Sequence, residues 1–114
     1  MDVAVGVGHT CVLTTDNRVT CWGDNKERQT DVPTGLGTVI EIEAGREHTC
    51  ALNDQGNVYC WGINNYGQLD VPPELQDVNQ IVSGPDNICA RTHGEYVCWG
   101  RNDYGQSSIW YNFH

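Results

Sequence analysis

One string returns three times along this chain. Cys21-Trp22-Gly23 recurs as Cys60-Trp61-Gly62 and as Cys98-Trp99-Gly100, at steps of 39 and 38 residues. His9-Thr10-Cys11 recurs as His48-Thr49-Cys50 and then changes to Asn87-Ile88-Cys89. Gly6, Gly45 and Gly84 stand three residues ahead of those positions in every copy. Asp31-Val32-Pro33 matches Asp70-Val71-Pro72, and Tyr66-Gly67-Gln68 matches Tyr104-Gly105-Gln106; the first copy has Glu27-Arg28-Gln29 there. A fixed period of this length means one supersecondary unit repeated. Such a unit cannot bury its faces alone and must stack on its neighbours. The repeats run approximately 1–39, 40–78 and 79–114, and 114 residues suit one domain of three such units.

Each copy reads as short strands. In the second, Val39 to Ala44 mixes apolar and acidic residues with a period of two, the pattern of a half-buried strand. Gly45 breaks it, and residues 48–52 form the next strand. Asn53-Asp54-Gln55-Gly56 is a turn, with Gly56 suited to its left-handed position. Residues 58–61 return, a loop follows, and 69–71 form a fourth short segment that Pro72 and Pro73 end. No stretch holds a helical period. The expected fold is all-β: three tandem four-stranded antiparallel blades of β-propeller type, as a partial propeller or an open array.

The consensus GxxHTCAL…GxVYCWGxNxYGQL resembles the repeat of the regulator of chromosome condensation family. Gly45, residues 48–52, Gly56, residues 58–62, Asn64 and residues 66–69 carry the likeness. The resemblance implies propeller blades of four antiparallel strands. It also implies interaction functions: nucleotide exchange on a small GTPase, chromatin docking, light sensing, ubiquitin-ligase adaptors or inhibition of a secreted β-lactamase. Those activities sit on loops that differ between members, so none transfers residue by residue. Family propellers have about seven blades, against three copies here.

Hairpin counting pairs the cysteines. A three-residue loop at 54–56 makes Asn53 and Asn57 the closing pair, which sets Leu52 opposite Val58, Ala51 opposite Tyr59 and Cys50 opposite Cys60. Closing pairs are hydrogen-bonded and the types alternate, so the cysteines meet on a non-hydrogen-bonded pair, with Cα atoms ~4.5 Å apart, within disulfide range. Cys11 meets Cys21 by the same count, with Asn17 in the glycine's place. The third copy has one residue fewer, and a two-residue turn at His93-Gly94 again sets Cys89 opposite Cys98. The expected disulfides are therefore Cys11–Cys21, Cys50–Cys60 and Cys89–Cys98. Zinc is the rival reading, with His48, Cys50 and Cys60, or His9, Cys11 and Cys21, as ligands. Yet no Cys-x-x-Cys is present, the third copy has Asn87, and no fourth ligand is evident. The plainer role for His9 and His48 is a hydrogen bond to a neighbouring blade or turn, and no metal or other cofactor is expected.

Fifteen acidic residues against six basic give a formal charge of −9, which opposes phosphate binding, so nucleic acid is not an expected partner. No apolar run of ~20 residues exists, so membrane insertion is not expected. The first residues, Met-Asp-Val-Ala-Val-Gly, do not read as a signal peptide. Six cysteines in a small chain nevertheless favour an oxidising, extracellular or periplasmic location. Asp16, Asp24, Asp54, Asp86 and Asp103 neighbour asparagines or glycines but match no spaced calcium loop, and read as turn formers. Ser83, Ser107 and Ser108 lack a nucleophile-elbow context, so an enzyme is not expected.

Two functions fit. The first is a secreted, non-catalytic scaffold for protein–protein interaction. Its loops after Gly6, Gly45 and Gly84, and after each Cys-Trp-Gly, leave the same rim. Lys26, Glu27, Arg46, Glu47, Tyr66, Asp86 and Tyr104 are its candidate contacts, with Trp110 in an aromatic tail. The second is a structural subunit that assembles with other copies of itself into a ring or filament. Trp22, Trp61 and Trp99 are expected to pack between blades.

Overall fold

The computed structural model describes residues 2–23, 30–62, 69–72, 75–84, 87–100 and 111–112. Their strands form three antiparallel sheets, one per copy, and no helix. The first sheet is β1 (Asp2–Val5), β2 (His9–Leu13) and β3 (Val19–Gly23), side by side in chain order. The second is β4 (Val39–Ala44), β5 (His48–Asn53) and β6 (Val58–Gly62). The third is β7 (Gln80–Ser83), β8 (Asn87–Thr92) and β9 (Glu95–Gly100), with β10 (Tyr111–Asn112) added beside β9. The sheets stack in an open row, with β1 against β4 and β4 against β7.

Turn chemistry sets the register. Asn53 N–H bonds Asn57 O at 3.0 Å and Thr14 N–H bonds Arg18 O at 2.8 Å, closing two like hairpins. Their left-handed positions hold Gly56 at φ 78° and Asn17 at φ 64°, residues that tolerate this region. In the third copy His93 and Gly94 take φ 52° and 80°, as a two-residue hairpin turn with both centres positive requires. Each turn brings cysteine opposite cysteine: Cys11↔Cys21, Cys50↔Cys60 and Cys89↔Cys98. All three pairs are disulfides, with Cα separations of 4.1, 4.1 and 4.0 Å.

Alternation sorts each sheet into two faces. In the second sheet Ile42, Ala51 and Trp61 face the first sheet and join Ala4, Cys11 and Leu13 in one core. Cys50 and Leu52 face the third and join Ile81, Ile88, Ala90 and Trp99 in another. Ile42, Leu52 and Ile88 are fully buried, each worth roughly 1.5–3 kcal/mol of apolar transfer. The disulfides Cys11–Cys21 and Cys50–Cys60 thus lie between sheets, inside the packing layers, whereas Cys89–Cys98 belongs to neither core. Trp61 and Trp99 occupy the expected inter-blade positions, whereas Trp22 is 52% exposed because no described sheet covers its face.

Two expectations need correction. Among the described residues the first two sheets have three strands rather than four. Where a fourth was expected, Val71 N–H bonds Leu69 O at 3.0 Å, and Val32 N–H bonds Thr30 O at 3.1 Å in the first copy. These three-residue turns use donors a ladder would need, and Pro33 and Pro72 follow with none. Val32 with Leu36, and Val71 with Leu75, instead pack against the two cores. Only the third sheet carries a fourth strand here, through Tyr111↔Tyr96. The second correction concerns β4, where a bulge at Ile40 breaks the strict alternation. Ile40 is 48% exposed, and Val39 and Ile42, three apart, both reach the core.

Candidate protein-binding rim

Three glycine hairpins converge at one end of the sheets. Gly6 N–H bonds His9 O at 2.9 Å, Gly45 N–H bonds His48 O at 3.0 Å, and Gly84 N–H bonds Asn87 O at 2.9 Å. Across the first two, Val7 N–H bonds Arg46 O at 3.1 Å, tying neighbouring loops together. The register places the last residue of each Cys-Trp-Gly at this same end, since His9 faces Gly23, His48 faces Gly62 and Asn87 faces Gly100. Both loop sets therefore start from one rim. Between the hairpins lies an open depression of 390 Å³, lined by Val5, Val7, Gly45, Arg46, Ser83 and Gly84 among others.

The histidines lie beneath this floor. His48 Nε2 is 3.0 Å from Ser83 Oγ of the next sheet, and His9 Nε2 is 3.0 Å from Thr49 Oγ1. A serine beside a histidine invites a nucleophilic reading, but the chemistry points elsewhere. Ser83 Oγ donates to Gly84 O at 2.9 Å, so it accepts from His48 rather than giving it a proton. His48 is fully buried, and the His9–Thr49 pair repeats the contact inside the other packing layer. These are ties between sheets, the role expected for both histidines. The zinc reading needed free thiolates beside them, and those sulfurs are bonded to each other.

Carboxylates make a second set of ties. Glu41 Oε1 accepts from Ile81 N–H at 3.1 Å and Glu43 Oε1 from Ser83 N–H at 3.0 Å, covering the inner edge of the third sheet. Sequence reasoning missed this. The available signal was two acids on a strand whose counterpart in the first copy has Ala4 in place of Glu43. Burial pushes the Glu41 carboxyl up, the Ile81 amide opposes this, and the charges of Glu43 and Asp2 push it further up. The folded chain thus holds this proton more tightly than the unfolded chain. Its contribution to stability is complete below the ordinary value of 4.5 and is lost as pH rises through the folded value. Glu41→Gln keeps the acceptor and removes the charge. It should raise the thermal midpoint by roughly 1–2 °C at about pH 7 and leave it unchanged at about pH 3.5. A larger gain in acid than at neutrality, read by calorimetry, would contradict the sign.

Of the candidate contacts, Arg46 is exposed on the rim and Glu47 is half-buried beside it. Lys26, Glu27, Tyr66, Asp86, Tyr104 and Trp110 lie outside the described residues. The structure adds Val5 and Val7, 66% and 68% exposed, as the rim's apolar element.

A family model for the regulator of chromosome condensation repeat matches residues 2–29 and 39–68, just over half of the chain. This chain belongs to that repeat family. The ectodomain of the Arabidopsis thaliana receptor kinase ACR4 superposes with a TM-score of 0.79 at 22% identity, covering 97% of this chain and 45% of its own. The ectodomain of the Physcomitrella patens receptor kinase CR4 gives 0.75 at 28% identity, covering 90% and 32%. Prp20p from Saccharomyces cerevisiae gives 0.74 at 22% identity, covering 90% and 31%. The chain thus spans less than half the length of these propeller structures. No curated protein sequence matches it.

Proposed function

We propose that this chain is a non-catalytic, extracellular or periplasmic repeat scaffold whose rim binds a protein partner. The carrying observation is the convergence of three glycine hairpins on one end, where Val5, Val7 and Arg46 stand exposed around a shared depression. Two similar structures are receptor ectodomains, and that of Prp20p was described together with its binding to Gsp1p and histones. Three disulfides suit an oxidising compartment. Lys26, Glu27, Tyr66, Asp86 and Tyr104 belong to segments that begin at this rim, and we keep them with Arg46, Glu47 and Trp110 as candidate contacts. The three repeats act as one domain in this reading.

The test compares two rims. Val7→Asp with Arg46→Glu alters the proposed face. Thr34→Glu alters the exposed surface at the opposite end, beside a second depression lined by Arg18, Pro33 and Leu36. Immobilised wild type and Thr34→Glu should retain the same protein from a cell-surface or secreted extract, and the rim variant should bind it at least about tenfold more weakly. Equal retention by all three would reject the rim.

A second reading, assembly with other copies of the chain, is favoured by one observation. The outer face of the first sheet exposes Val3, Val5 and Trp22 together.

A further inference from the structure

The two open ends of the row are built differently, and position by position they answer one another. The uncovered face of the first sheet carries Val3, Val5, Thr10, Val12 and Trp22. Stepping by 39 residues turns these into Ile42, Ala44, Thr49, Ala51 and Trp61. Those are the residues with which the second sheet receives the first: Ile42, Thr49 and Ala51 are fully buried and Trp61 is 6% exposed. The exposed set is therefore a sheet-receiving surface with the same residue types in the same places.

The opposite end departs from its own repeat. On the face of the third sheet that points away from the second, Gln80 replaces Glu41, Val82 replaces Glu43, Asn87 replaces His48 and Arg91 replaces Leu52. Val82 is 43% exposed. Arg91 Nε is buried without a hydrogen-bond partner among the described residues. Within the chain, Glu41 reaches Ile81 and Glu43 and His48 reach Ser83. The residues equivalent to Ile81 and Ser83 in the first sheet are Val3 and Val5. Carried to the open ends, the same geometry sets Gln80 against Val3 and Val82 against Val5, so two exposed valines meet. Leu13 shares a core with Trp61, and Leu52 shares one with Trp99. The next member of that series is Arg91 with Trp22.

Resting on the self-assembly reading, we propose that a second copy of this chain docks the outer face of its third sheet on the first sheet of its partner. Val82 packs on Val5 and the Arg91 guanidinium lies over the exposed Trp22 indole. A cation on an indole face is attractive once water is excluded. Charge also favours this junction. Asp2 adds to the cost of charging Glu41 across the first two sheets, whereas at the junction neutral Gln80 takes the place of Asp2 and cationic Arg91 that of Leu13. The contact is heterologous, head to tail, and either closes two chains into a ring or continues as a filament.

The experiment uses sedimentation velocity and native mass spectrometry on the full chain, from about 1 to about 100 μM. Salt is held near 0.15 M, where repulsion between chains of charge −9 reaches only about 8 Å. Wild type should exceed one chain mass as concentration rises. Trp22→Glu and Arg91→Glu should each stay at one chain mass with unchanged circular dichroism. An equimolar mixture of the two should form one-to-one pairs, because each supplies the face the other lacks. Arg91→Gln should weaken assembly about tenfold. If either variant fails to fold, Val5→Asp and Val82→Asp, at exposed positions on the same two faces, replace them. A wild type that stays at one chain mass throughout would overturn both this contact and the self-assembly reading. Assembly that survives in the single variants would overturn this contact alone. Single variants that do not pair when mixed would exclude the head-to-tail geometry.

Discussion

Reducing all three disulfides is expected to unfold the chain at room temperature. Each closes a loop of about ten residues, which is worth about 2.7 kcal/mol of unfolded-chain entropy. The three together come to about 8 kcal/mol, comparable with the 5–15 kcal/mol that holds an average domain together. Cys11 and Cys50 are also fully buried within the layers that join the sheets, so cleavage disturbs packing between repeats as well as within them. Far-ultraviolet circular dichroism should show loss of strand signal in reductant and no change in chelator, because the sulfurs hold one another. Replacing Cys50 and Cys60 together by alanine should cost about 3 kcal/mol and leave the other two bridges intact on peptide mapping. A reduced chain that kept its thermal midpoint would show that the sheets stand on packing alone.

The bridges were legible because hairpin pairing follows from counting. A turn of known length sets a closing pair, a period of two sets everything beyond it, and the one-residue deletion in the third copy is absorbed by the switch from an Asn17- or Gly56-type turn to His93-Gly94. Inter-blade roles for His9, His48, Trp61 and Trp99 followed from recurrence at one place in a unit that must stack. What did not follow was set by neighbours. The segments ending in Val32 and Val71 look like short strands in isolation. They become turns because their valines have core to fill and a proline follows each. Ile40 reads as inward until the bulge puts Val39 and Ile42 on the same side. Glu41 and Glu43 read as the solvent side of β4, yet their carboxylates hold amides of β7, a partner about 40 residues away whose distance from β4 only the stacking reveals. Of the rim, the shared origin of both loop sets was legible from strand direction. The exposure of Val5 and Val7 was not, since the same alternation could have buried them.

Two glycine substitutions should separate contacts that can give way from contacts that cannot. A Cβ on Gly45 would sit 2.0 Å from His48 Cε1, the edge of a fully buried ring held by Ser83. Gly45→Ala must therefore move that ring, costing about 2–3 kcal/mol from overpacking and the weakened hydrogen bond. Removing the ring removes the obstacle, so Gly45→Ala with His48→Ala should cost less than the sum of the two single changes by at least about 1 kcal/mol. Gly62 is different. Its φ of +111° lies where only glycine is at ease, and its added Cβ would sit 2.4 Å from the carbonyl oxygen of Glu47. That oxygen belongs to the backbone of the rim loop, and no side-chain replacement can withdraw it. Gly62→Ala should cost about 4 kcal/mol, combining positive-φ strain with the backbone collision. It should remain at that level in the His48→Ala background, because the histidine ring is not what it strikes. Urea titrations of the three single and two double variants would decide the matter. Coupling of His48 to Gly62 as strong as its coupling to Gly45 would mean that the rim loop moves as one body with the ring.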